Sequence, residues 1–124
     1  MRKNANLIHI KSKELLLIEK KGMGSLPGGR IENKESDYLC LLRELKEKLP
    51  LIRMIYGKYY KTFYGIHPRK KDELESRVYF CLISGDLKTS EKISNAKYIK
   101  DFENYNVSDI TKRVIESLKE IKYL

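Results

Sequence analysis

Glu44 and Glu47 stand three residues apart in a stretch with the apolar spacing of a helix, so their carboxylates can share one face. Carboxylates clustered on one rigid face make a hard oxygen site suited to Mg²⁺ or Mn²⁺, ions that commonly bridge phosphate oxygens. Such an ion neutralises a pyrophosphate and lowers the pKa of bound water, giving a nucleophile near neutral pH. Upstream, Leu26-Pro27 leads into Gly28 and Gly29, where the backbone can pass close to a ligand. Arg43 lies one turn before Glu47, and Glu35 stands at the end of the intervening loop. An amphipathic helix with a glutamate-lysine solvent face explains Glu44, Lys46, Glu47 and Lys48 equally well, because Glu44 and Lys48 form a favourable i,i+4 pair.

The whole segment Leu26 to Leu51 (LPGGRIENKESDYLCLLRELKEKLPL) resembles the Nudix signature. That pattern is a glycine, five residues, a glutamate, seven residues, then Arg-Glu-apolar-any-Glu-Glu-any-Gly-apolar. Here Gly29 is the glycine and Glu35 the first glutamate; Arg43, Glu44, Leu45, Lys46 and Glu47 follow, and Leu51 closes the pattern. Leu26-Pro27-Gly28-Gly29 and Glu32 are also typical. A plain amphipathic helix leaves these loop spacings unexplained. The resemblance implies that Glu44 and Glu47 hold metal together with the Gly28 carbonyl, and that Arg43 pairs with Glu35 to hold the loop on the helix. It implies the Nudix fold, a mixed β-sheet sandwiched between helices, and hydrolysis of a nucleoside diphosphate linked to another group. Arg30 and Lys48 are the expected substrate contacts.

The chain departs from that pattern where metal should bind. The second glutamate of the Glu-Glu pair, a principal metal ligand by resemblance, is Lys48, and an ammonium repels a divalent ion. The following glycine is Pro50, the glycine before Glu35 is Lys34, and the aromatic often found two residues before Leu26 is Gly24. An acidic residue expected ahead of an aromatic on the last strand falls near Lys92 if Tyr98 is that aromatic, with Glu91 beside it. Glu32, Asp72, Glu73, Glu75 and Glu91 are the carboxylates that could complete a ligand set. The leading expectation is a metal-dependent nucleotide pyrophosphohydrolase with Arg43, Glu44 and Glu47 in the catalytic group. The alternative is an impaired module that binds a nucleotide or RNA 5′ end without cleaving it.

These residues need a scaffold. Ala5 to Ile10 and Glu14 to Glu19 read as strands around a Lys11-Ser12-Lys13 turn, which predicts an N-terminal hairpin. A helix should begin near Glu35 or Ser36, capped by Asn33 or Ser36, and stop before Pro50. Tyr38, Leu42, Leu45 and Leu49 form its expected core stripe, with Arg43, Glu44, Glu47 and Lys48 opposite. Leu51 to Ile66 reads as one or two strands broken at Gly57, Ser76 to Ser84 as the strongest strand, and Ala96 to Ile99 as a short one. Val107 to Tyr123 is an amphipathic helix capped by Asn106 or Ser108. The order indicates one α+β domain over residues 1–124.

With 124 residues, of which 41% are hydrophobic, the chain can build one packed core. Its longest apolar runs are far short of the roughly 20 residues of a spanning helix, so no membrane partner is expected. A net charge of +9 favours anionic partners, among them nucleic acid, though a solvated lysine-rich surface accounts for it equally well. Cys40 and Cys81 have no metal-ligand spacing and read as buried thiols of a cytoplasmic protein, monomer or homodimer, with a disulfide as the lesser alternative. His9 reads as structural and His67 as a loop histidine, with ligand contact as the sharper alternative. Arg69, Lys70 and Lys71 could meet phosphate. Tyr56, Tyr59, Tyr60, Phe63 and Tyr64 could stack on bases, with core packing as the default.

Overall fold

The computed structural model describes residues 1–124. In chain order the strands are β1 (Arg2–Ile8), β2 (Ile10–Lys11), β3 (Glu14–Lys20), β4 (Met23–Ser25) and β5 (Gly28–Arg30). Helix α1 (Asp37–Lys48) follows, then the long strands β6 (Ile52–Ile66) and β7 (Glu73–Gly85), then β8 (Asn95–Ile99). A 3-10 turn at Phe102–Asn104 leads into the closing helix α2 (Asp109–Glu120).

Two sheets carry these strands. The first has the order β5-β1-β7-β6 and is mixed, because β1 runs parallel to β7 while the other pairs are antiparallel. In the second, β2 and β4 pair with β3, and β8 lies along the remaining edge of β3. Helix α1 packs Cys40, Leu41, Leu45 and Leu49 against Ala5, Leu7 and Cys81 on one side of the mixed sheet. Helix α2 packs Ile110, Val114, Ile115 and Leu118 on the other side, against Ile8, Val78 and the β3 residues Leu15 and Leu17. This is the α+β sandwich expected. Both cysteines are free and buried.

Both helix starts were legible. Ser36 caps α1 by accepting from the Leu39 amide at 3.1 Å, and Ser108 caps α2 through the Thr111 amide at 3.3 Å. Acidic first turns, Asp37 and Asp109, suit the helix dipoles.

Three expectations need correction. The N-terminal hairpin shrinks to Ile10–Lys11 folding back on Glu14–Leu15 through Ser12 and Lys13 in left-handed conformation. Residues Ala5 to Ile8 belong to the other sheet, parallel to β7. They are buried on both faces, and a strand buried that way needs neighbours on both edges and layers above and below. Gly57 does not break its strand. It pairs with Cys81 inside a continuous β6, whose irregularities are bulges at Met54/Tyr56 and Tyr59/Lys61. The face of α1 is also rotated from the expected stripe. Tyr38 is 56% exposed, whereas Cys40, Leu41 and Glu44 are buried with Leu45. Among the β6 aromatics Phe63 is buried and Tyr60 packs half-buried against the same core, whereas Tyr56, Tyr59 and Tyr64 are exposed on this edge strand.

Candidate functional site

The site forms where β5 meets α1, and two glycines permit that meeting. Gly28 has φ +130°, and a Cβ there would stand 2.1 Å from the Ala5 carbonyl oxygen. A Cβ on Gly29 would stand 2.4 Å from Glu44 Cδ. The helix therefore lays a carboxylate directly against the glycine backbone. The turn ahead of the glycines is held from elsewhere in the chain. Asn6 Nδ2 donates to the Leu26 and Pro27 carbonyls at 3.2 and 3.3 Å, Ser76 Oγ donates to Asn6 Oδ1 at 2.6 Å, and the Leu26 amide donates to Thr111 Oγ1 at 3.2 Å. Sequence reasoning missed Asn6, Ser76 and Thr111. Their only signal was a polar residue at an otherwise apolar position.

Arg43 organises the loop between β5 and α1. Its Nε and Nη2 donate to the two Glu35 oxygens at 2.7 and 2.9 Å, Nη2 also to the Arg30 carbonyl at 2.8 Å, and Nη1 to Glu44 Oε1 at 3.0 Å. Glu35 Oε1 further accepts from the Glu32 amide at 2.9 Å. The hydrogen bonds from Arg43, with that amide, hold the Glu35 carboxyl down at about 2, and the same pairing raises the Arg43 guanidinium. A bidentate fork of this kind fixes direction as well as charge.

Lys48, one turn beyond Glu44, reaches back to the glycines. Its Nζ donates to the Gly28 carbonyl at 2.8 Å and lies 2.8 Å from Glu44 Oε2. The first contact is a directed hydrogen bond. The second is an ion pair off the hydrogen-bond axis. Glu44 is only 7% exposed, and the Lys48 ammonium and the Arg43 guanidinium are its charge partners inside the fold.

Around this pair lies a cavity of about 230 Å³. Arg2, Lys20, Arg30, Lys48 and Arg69 line it, with His67 at one side. Their crowding has consequences. Desolvation lowers the pKa of Lys20, and the charges of Arg69 and Lys48 lower it further. His67 is lowered by desolvation and by Arg2 and Arg69, which favours the neutral ring. Its Nδ1 accepts from the Arg69 and Lys70 amides at 3.2 and 3.1 Å, so the proton of that ring sits on Nε2. Arg30 and Arg69 thus join Lys48 at the cavity, while Lys70 and Lys71 do not line it, and neither do Glu35 and Glu47. His9 is structural, with Nδ1 2.7 Å from the Tyr98 hydroxyl.

A profile of the NUDIX domain matches residues 2–121. The chain belongs to the Nudix family. Solved structures of the same fold include a MutT NUDIX hydrolase from Burkholderia pseudomallei, with TM-score 0.80 and 19% identity over 93% of this chain and 95% of that one. A MutT protein from Methanosarcina mazei gives TM-score 0.81 and 17% identity over 98% and 95%. An ADP-ribose pyrophosphatase from Streptococcus suis gives 0.62 and 16% over 95% and 87%. No curated protein matches the sequence. No helix is long and apolar enough to cross a membrane.

Nudix proteins generally use divalent ions, and the residues here can be tested against one. The oxygens expected to hold it are the Gly28 carbonyl and the carboxylates of Glu44 and Glu47. Two of these three already converge on the Lys48 ammonium. Glu47 lies apart, 3.6 Å from Arg43 Nη1 and 3.7 Å from Lys92 Nζ, with its side chain 37% exposed. Nowhere do three His, Cys, Asp or Glu side chains gather into a set that could hold a metal. Of the other carboxylates, Glu75 on β7 is tied to Arg77 at 2.9 Å, and Glu32 stands 3.9 Å from Arg43. A dication about 4 Å from an ammonium is repelled by about 8 kcal/mol at an effective dielectric near 20. As arranged, the site does not fit a divalent ion.

Proposed function

We propose that this Nudix domain binds the pyrophosphate group of a nucleotide-like ligand beside Gly28 and Gly29, with Lys48 supplying the positive charge a metal would otherwise bring. The observation that carries this reading is the double contact of the Lys48 ammonium with the Gly28 carbonyl and Glu44. A cation held at that point presents its charge to a phosphate oxygen lying over the glycines. Arg30, exposed at the end of β5, is placed to take a second oxygen. The Arg43–Glu35 brace keeps the loop in place while the ligand comes and goes.

Hydrolysis of a phosphoanhydride in a nucleoside diphosphate linked to another group is the second reading. One observation favours it: the Arg43, Glu35, Glu44 and Gly29 framework of the signature is whole, and of the expected metal-holding acids only the last is exchanged. The two readings separate in one experiment. Wild type and Lys48→Glu are assayed on a nucleotide panel with and without Mg²⁺ or Mn²⁺, with ligand binding followed in parallel by calorimetry. The proposal expects wild-type binding without product, and metal-dependent product only in Lys48→Glu. Metal-dependent product from the wild type establishes the hydrolase instead.

A further inference from the structure

Five cationic side chains line the cavity, Arg2, Lys20, Arg30, Lys48 and Arg69, against the single carboxylate of Glu44, a surplus of four positive charges. A pyrophosphate esterified at both ends carries about two negative charges. A free triphosphate end carries about four near neutral pH, because its terminal phosphate loses a second proton with a pKa near 6. A divalent ion bound to that triphosphate brings it back to about two.

We infer that the cavity takes a free triphosphate end in its metal-free form, so that Mg²⁺ competes with this protein for its ligand. The inference rests on the pyrophosphate-site reading above and narrows it. Three further observations converge on it. The Nε of Arg2 is buried without a hydrogen-bond partner, a donor that an anionic oxygen would satisfy. The cavity's 230 Å³ is below the roughly 300 Å³ at which pockets begin to enclose drug-sized molecules. It suits a phosphate chain whose remaining moiety lies outside. The Lys20 pKa is lowered first by desolvation and then by the charges of Arg69 and Lys48, so the surplus charge is already felt within the site. An anion relieves that repulsion most when it brings its full charge.

The test is calorimetric titration of the intact chain with ATP, inorganic tripolyphosphate, a 5′-triphosphorylated oligoribonucleotide and ADP-ribose, each in EDTA and in saturating Mg²⁺. The triphosphates are expected to bind about tenfold or more tightly in EDTA than in Mg²⁺, and more tightly than ADP-ribose. Comparison of ATP with the oligoribonucleotide then assigns the source of the triphosphate. Arg2→Met should weaken binding about tenfold, while Lys58→Met, an exposed lysine on β6 outside the cavity, should leave it within about twofold. Circular dichroism of both variants confirms that they fold. Equal affinities for ATP and ADP-ribose in EDTA, or tighter binding with Mg²⁺, overturn this inference and leave the pyrophosphate site standing. Equal losses in Arg2→Met and Lys58→Met reduce the effect to bulk charge and overturn it too. No binding of any of these anions removes both readings.

Discussion

Lys48 Nζ donates to the carbonyl oxygen of Gly28 at 2.8 Å, across 20 residues of sequence and from the last turn of a helix to the first residue of a strand. The same ammonium neutralises Glu44. One exchanged residue therefore does two things in this Nudix domain: it closes the oxygen set that would hold a metal, and it makes the helix–strand junction electrostatically self-sufficient.

Removing that ammonium should cost stability. Lys48→Met leaves Glu44, only 7% exposed, with Arg43 as its one remaining charge partner. Breaking a fully buried pair from one side costs 3–5 kcal/mol; with a fifth of the Lys48 side chain exposed, about 2 kcal/mol is expected. Urea unfolding checks the figure. Lys48→Glu should lose more in EDTA and regain it when Mg²⁺ is added, whereas wild type should not respond to Mg²⁺.

Gly29→Ala tests the contact between β5 and α1. The new methyl would lie 2.4 Å from Glu44 Cδ, so the carboxylate must leave its place against the strand. The expected cost is about 2 kcal/mol, with loss of the Lys48–Glu44 pairing seen as a changed Glu44 carboxyl resonance. Gly28→Ala meets backbone at 2.1 Å and a positive φ. It is expected not to fold, read as absence of a cooperative unfolding transition.

Arg43→Lys keeps the charge and discards the fork. A single ammonium cannot reproduce the paired bonds to Glu35 and the bond to the Arg30 carbonyl. About 2 kcal/mol should be lost. Amide exchange should rise first over residues 30–36, where the loop is released, while exchange in β7 stays slow.

The same brace gives an acid-pH signature. Glu35 is held at about 2 in the folded chain against 4.5 for an ordinary glutamate, chiefly by the Arg43 hydrogen bonds. A folded-state pKa lowered this way contributes stability that is full above about 4.5 and is lost as pH falls through about 2. Asp37 is shifted in the same direction by its bond to Arg77. Carboxyl NMR titration should place the Glu35 midpoint near 2 in wild type and return it toward the ordinary value in Arg43→Lys. An unchanged midpoint in the variant would show that the arginine is not the cause.

What could be read from the sequence by itself was whatever depends on residues close along the chain. Ser36 and Ser108 announced their helices because a cap bonds an amide three residues on, and Pro50 announced a stop because it disfavours helix at the residue before it. The spacing of Gly29, Glu35 and Arg43 announced the brace through a resemblance that counts positions. Tertiary structure alone decided what depends on long-range packing. Ala5 to Ile8 has the same alternation whether it joins a hairpin or runs parallel to β7, and only burial on both faces selects the second. The face of α1 looked like a solvent stripe at Glu44 because a carboxylate is ordinarily exposed. Its burial became tolerable only once Gly29 gave it room and Lys48 and Arg43 gave it partners. Lys48 could be recognised in the sequence as a misfit for metal. That its ammonium stands between Gly28 and Glu44 is a fact of three dimensions, because charge and distance act through space and not along the chain.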